Sequence, residues 1–168
     1  VNNSGMLSHL QGDLDGMQLT VTGNATVAAG GRIDTNTRGL RGGKQSGNPS
    51  SLGETYAADG SVVAAVPATA GGSHGGKGGS TSASPSALPP YGNPEAPTTL
   101  GSGGGGNSGG NGGGRIQLVV AGTLTVNGNI QSNGQSYVFG GGAGGSVWIK
   151  AGTLAGNGGI AAYGSYSE

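Results

Sequence analysis

The chain has no cysteine, which excludes disulfide staples and thiolate metal sites. It has little charge, and what it has is balanced: seven Lys and Arg stand against seven Asp and Glu in 168 residues. Balanced charge gives no reason to expect nucleic acid or anionic lipid as a partner. Large aliphatic residues are scarce, below the usual floor for a globular core. No apolar run approaches the roughly 18 residues of a membrane span, and no signal peptide is recognisable. A secreted form therefore implies a signal removed or lying outside this stretch, and membrane insertion is not expected.

Glycine is what the chain has in excess, 42 residues beside 7 Pro, a level typical of low complexity or disorder. Disorder of that kind normally goes with high net charge, and here the net charge is zero. Distribution decides the matter. The aliphatics gather in three similar stretches: "MQLTVTGNATVAAGGRIDTNTRG" (17–39), "RIQLVVAGTLTVNGNIQSNG" (115–134) and "SVWIKAGTLAGNGGIAAYG" (146–164). Gly23, Gly122 and Gly152 anchor the alignment. Two residues on stand Ala25, Leu124 and Leu154; further on stand Ile33, Ile130 and Ile160, then Thr35, Ser132 and Ala162. The third copy is one residue shorter before its glycine.

Alternation before each anchor predicts a short strand with one buried face. Its inward residues are Leu19 and Val21, then Ile116, Leu118 and Val120, then Val147, Ile149 and Ala151. A turn at Ala121-Gly122, a second strand at Leu124 and Val126, a turn at Asn127-Gly128 and a third strand at Ile130 complete one unit. Three short strands in about 20 residues describe one rung of a β-helix. The predicted fold class is all-β, a right-handed parallel β-helix (solenoid) with long glycine-rich extended insertions. Asn-Gly turns also suit antiparallel hairpins, but hairpins do not demand one residue class at one offset in every unit. Stacking does, and it places Ile33, Ile130 and Ile160 in one buried column.

The whole chain, 1–168, reads as a single domain with rungs near 1–10, 17–39, 115–134 and 146–164. The insertion 40–114 is either flexible linker or ordered extended chain, in which glycine lets backbones approach and pair; Tyr91, Tyr137, Phe139 and Trp148 favour order, least so over 45–90. Trp148 alternates with Val147 and Ile149, so it points outward and needs a cover.

The order "GGSHGGKGG", "YGNPEAPTTLGSGGGG", "GGGRIQLVVAGTLTVNGNIQSNG", "GGGAGGSVWIKAGTLAGNGGIAAYG" resembles the glycine-rich β-solenoid repeats of very large secreted or cell-surface proteins of environmental bacteria and some protists. The resemblance covers nearly the whole chain. It implies an extracellular structural or adhesive role and carries over no catalytic residue.

Chemistry is sparse. The acids are Asp13, Asp15, Asp34, Glu54, Asp59, Glu95 and Glu168. Only Asp13 and Asp15 are close, in a "GDLDG" turn, so the paired carboxylates of a polysaccharide-cleaving site are not expected, nor is a calcium loop. His9 and His74 stand alone. "GSGGGGNSGGNGGG" lacks the Gly-Lys-Ser/Thr ending of a phosphate loop. The expectation is a protein without catalytic, cofactor or metal sites. Asn2-Asn3-Ser4 and Asn24-Ala25-Thr26 are N-glycosylation sequons at Asn2 and Asn24.

The opening "NNSGMLSH" reads as a partial rung, with Gly5 at the anchor position and Leu7 in the row of Ala25, Leu124 and Leu154. Uncapped rungs expose backbone groups and apolar side chains to another chain. The expected partner is the protein itself, head to tail, as a homopolymer or as tandem repeats. Val1, Met6 and Leu7 form one face; Ile149, Leu154 and Ile160 form the other. The function so predicted is a subunit or repeat of an extracellular filament or surface layer. The alternative is a carbohydrate-binding or adhesive module that stacks glycans on Trp148 and the tyrosines.

Overall fold

The computed structural model describes residues 1–80 and 87–165. Glu168 therefore lies outside the described residues. Among those described there are ten strands and no helix: β1 (Met6–Leu7), β2 (Met17–Val21), β3 (Ala25–Val27), β4 (Arg32–Asp34), β5 (Gly53–Tyr56), β6 (Val62–Val66), β7 (Arg115–Val126), β8 (Asn129–Gln131), β9 (Ser146–Ala155) and β10 (Gly159–Ala161). One parallel sheet runs β1-β4-β8-β10. In a second, β7 lies at the centre with β2 and β3 along one side and β9 along the other. β5 and β6 pair antiparallel.

This arrangement corrects the predicted right-handed parallel β-helix. Parallel and antiparallel sheets are mixed, and most of the insertion adds no rung. The local reason is visible at the anchor glycines. Where the coil requires a corner at Ala121-Gly122, β7 runs straight on to Val126, and β9 runs through Gly152 in the same way. Units two and three thus supply one long strand and one short strand each. The one-residue deficit of the third copy becomes a register shift between Val120 and Thr123 on β7 opposite β9, the extra residue being taken up as a bulge.

Period-two alternation along β7 builds the core. Ile116, Leu118, Val120, Leu124 and Val126 all point inward and are buried with Val27, Ile33 and Ile130. Each such side chain contributes about 1.5–3 kcal/mol when fully buried. The centre of the stack is therefore unit two, flanked by units one and three.

The register of β1 corrects the alignment of the opening residues. Leu7 pairs with Ile33, not with the row of Ala25, and Met6 pairs with Arg32. Gly5 O accepts the Arg32 N–H at 2.9 Å, and Val1 O accepts the Ala28 N–H at 2.9 Å. The spacing shared by "VNNSGML" and "VAAGGRI" is the signal: a valine, then glycine four residues on, then an aliphatic two beyond that.

The glycine excursions form a layer of their own, held by backbone bonds. Successive N–H groups donate to three different segments: Gly103 to Glu54 O at 3.0 Å, Gly104 to Gly110 O at 2.8 Å, Gly105 to Ala70 O at 2.9 Å. Two of these directions recur three residues away. Gly101 donates to Gly113 O, in line with Gly104 to Gly110; Gly106 donates to Ser51 O, in line with Gly103 to Glu54. The neighbouring segment repeats the pattern, with Gly109 and Gly112 donating to Gly43 O and Leu40 O, and Gly110 and Gly113 to Gly140 O and Ala143 O. A β-strand has period two; period three is the three-residue turn of a polyproline II chain. Such a chain makes no internal hydrogen bonds, so its amides pair with neighbouring chains. Backbone then covers each of these faces, and a Cβ on Gly104 would run into Gly140 O.

Candidate functional site

The aliphatic row Leu7, Ile33, Ile130 and Ile160 lies in register across four parallel strands. Its middle is closed and its ends are open: the exposures are 39%, 2%, 0% and 42%. The second sheet repeats the pattern. Leu118 and Leu124 are buried, while Leu19 on one side and Leu154 on the other are exposed. The predicted column of three buried isoleucines is therefore corrected at Ile160, and the inward set at Leu19, because no further strand among the described residues covers either.

Two hollows mark these ends. One, of about 300 Å³, is lined by Leu7, Leu19, Val21, Ala25, Leu118 and Leu124 among others. The other, of about 240 Å³, is lined by Val126, Leu154, Ala155 and Ile160 with Gly156 and Gly158. The first end is stepped. β1 extends one sheet by a strand, whereas the free side of β3 is met only by Val1 among the described residues, its amino group donating to Thr26 O at 2.6 Å. Of the predicted interface residues, Met6, Leu7, Leu154 and Ile160 are exposed; Val1 and Ile149 are partly buried against the core.

Both sequon asparagines are exposed. Asn24 also braces the sheet. Its Oδ1 accepts the Thr123 N–H at 2.8 Å and lies over Gly122, where a Cβ would collide with it. Gly23 has open space around it, so the anchor glycines are not equivalent.

The aromatic residues do not assemble into one platform. Tyr56 and Tyr91 pack edge to face with centroids 5.2 Å apart, and His74 tilts against Tyr91 at 5.1 Å. Trp148 sits beside a hollow of about 180 Å³ formed with Ala96, Pro97, Thr98 and Gln117. This loop supplies the cover its outward position demands.

His74 Nδ1 donates to Gly144 O at 2.8 Å, and Nε2 accepts from Thr99 Oγ1 at 3.0 Å, which fixes the neutral tautomer. Burial holds its pKa below the ordinary imidazole value, partly offset by the Gly144 bond.

The acids are dispersed. Asp13 Oδ1 accepts the Asp15 N–H in a turn, Asp34 lies 3.6 Å from Arg32, and Glu54 accepts the Arg41 N–H at 2.8 Å. Asp59 caps Ser61, and these bonds hold its carboxyl below the usual range. Among the described residues no three His, Asp or Glu side chains gather as metal ligands, and no helix is long and apolar enough to cross a membrane.

Compared with family models, curated proteins and solved structures, the chain shows no match to any of them.

Proposed function

We propose that this chain is a structural module that joins copies of itself head to tail, as separate subunits or as tandem units of one longer protein, in an extracellular filament or surface layer. The observation that carries the reading is the row from Leu7 to Ile160, closed in its middle and open at both ends. A parallel stack that buries an aliphatic row internally leaves the same row unfinished at its edges, where backbone groups are also unpaired. Because the two ends differ, the contact is heterologous, and a heterologous contact that does not close makes a filament.

The step at the first end sets how such a joint forms. β10 of one copy lies beside β1 of the next, bringing Ile160 against Leu7. The other sheet is then one strand short, and the hollow floored by Leu118 and Leu124 takes a further strand. The extracellular setting draws its support from the two sequons and from the resemblance to secreted glycine-rich solenoid repeats. A glycan-stacking role has less to stand on, since Tyr56 and Tyr91 are packed on each other while Trp148 borders a separate hollow.

The test is sedimentation and electron microscopy of the purified protein over a wide concentration range, with Leu7→Asp and Ile160→Asp as single-face variants. Polymers are expected for the parent protein and monomers for each variant alone. A mixture of the two variants restores one joint and gives dimers. A parent protein that stays monomeric at millimolar concentration, or variants that polymerise as the parent does, would overturn the proposal.

A further inference from the structure

A groove of about 460 Å³ lies on the glycine layer, between the loop that carries His74 and the extended segment 140–145; Gly76, Gly79, Gly141, Gly144 and Ser165 are among its lining residues. The segment 140–145 follows the three-residue period described above. Gly140 and Ala143 donate to Gly105 O and Ser102 O in one direction, and Gly142 and Gly145 donate to Gln135 O and Ser132 O in a second. The third direction belongs to Gly141 and Gly144. Both residues are buried and line the groove, and neither N–H has a hydrogen-bond partner among the described residues. Their carbonyls, by contrast, are taken by Gly72 N and His74 Nδ1.

Buried backbone N–H groups without partners are rare, and two that have none among the described residues, spaced by one three-residue turn, form a pattern. At about 3.1 Å rise per residue, the two donors stand about 9 Å apart. Carbonyls three residues apart on another polyproline II chain have the same spacing. Two of the three faces of 140–145 are already covered by extended chains of this kind. The third differs only in that its chain position is a groove.

We propose that this groove binds one further extended, glycine-rich peptide segment in the three-residue conformation, supplied by another molecule, with Gly141 and Gly144 donating to its carbonyls. Side chains on the bound segment must be absent from the faces turned to the walls, because glycine lines both sides. A segment of the type "GSGGGGNSGGNGGG" meets that demand. This site lies on the glycine layer, and one wall, Ala162 to Ser165, continues from the edge strand β10.

The probe is a synthetic peptide of that sequence, titrated into the intact protein with amide chemical shifts and hydrogen exchange as readouts. In the free protein the Gly141 and Gly144 amides are expected to exchange faster than those of Gly140 and Ala143, and to slow and shift on peptide addition. A matched peptide with alanine replacing every glycine should bind at least tenfold more weakly. Gly79→Leu places a side chain in the groove at a position with open space around its Cβ site; it should keep the parent melting temperature and lose peptide binding. Three results would each overturn the proposal: Gly141 and Gly144 amides protected as well as their neighbours in the free protein, no shift on peptide addition, or equal binding by Gly79→Leu.

Discussion

Ile130 and Ile160 are direct neighbours across the β8–β10 ladder, yet Ile130 is wholly buried and Ile160 is 42% exposed. The same residue type in the same register thus faces two environments, set only by whether another strand follows. Ile130→Ala should cost about 2–5 kcal/mol, the usual range for emptying a buried aliphatic site. Ile160→Ala in the monomer should cost well under half of that. Denaturant titration of both variants measures the difference, and equal losses would mean that Ile160 is covered in solution.

The glycine layer tolerates no side chain where backbone meets backbone. Gly104 donates to Gly110 O and accepts from Gly43 N, and its Cβ position is occupied by Gly140 O. Gly104→Ala must separate these chains, so a loss of at least about 3 kcal/mol is expected from overpacking and broken bonds together. Gly23→Ala is the matched control, since nothing lies within 4 Å of its Cβ site. Its melting temperature should stay near that of the parent protein.

Much of the sheet register was legible in the sequence, and the global path was not. The offsets that align Ile33, Ile130 and Ile160 are the offsets of the ladders, because parallel pairing requires equal residue classes at equal positions. The corner at Ala121-Gly122 failed for a physical reason. A glycine permits a turn but does not impose one, and here the Thr123–Leu124 backbone continues the ladder to β9. The hairpin of β5 and β6 carried its own mark in Asp59-Gly60, a turn pair between two strand-forming runs, with Gly60 at φ 83°. The glycine layer hid its register. Its specificity lies in main-chain bonds, which any glycine can make and which leave no trace in residue type. The groove beside Gly141 was invisible for the same reason.

Asn24 ties unit one to unit two through the Thr123 N–H. Asn24→Ala removes the acceptor and should cost about 1 kcal/mol, the usual net worth of one such bond. Asn24→Asp keeps an oxygen in place and should recover most of the loss. Thermal unfolding of the three proteins tests this. If Asn24→Ala melts with the parent, the bond to Thr123 is not formed in solution. A glycan on Nδ2 leaves Oδ1 free, so sequon use and this bond are compatible; mass spectrometry of material from a glycosylating host tests whether Asn24 is modified.

His74 should make stability depend on pH near neutrality. Its folded-state pKa is depressed by burial, whereas in the unfolded chain it takes the ordinary value of about 6.5. The unfolded state therefore binds the proton first as the solution is acidified. Linkage then requires stability to be fully present above about pH 6.5 and to fall as pH drops toward the lowered folded value. Below that value both states carry the proton and the His74 contribution to the slope ends. A single site sets the steepest slope at about 1.4 kcal/mol per pH unit. The geometry agrees with the sign: in the neutral tautomer Nδ1–H already serves Gly144 O and Nε2 already accepts from Thr99, so protonation adds a charge to a partly buried ring and leaves Nε2 without its acceptor role. His74→Gln removes the titration while keeping a polar group beside Gly144. Urea unfolding of the parent protein and of His74→Gln across pH 5 to 8 should give two curves that converge on acidification, the parent losing stability faster. Parallel curves over that whole range would show that His74 titrates alike in both states, and that its burial against Tyr91 does not persist in solution.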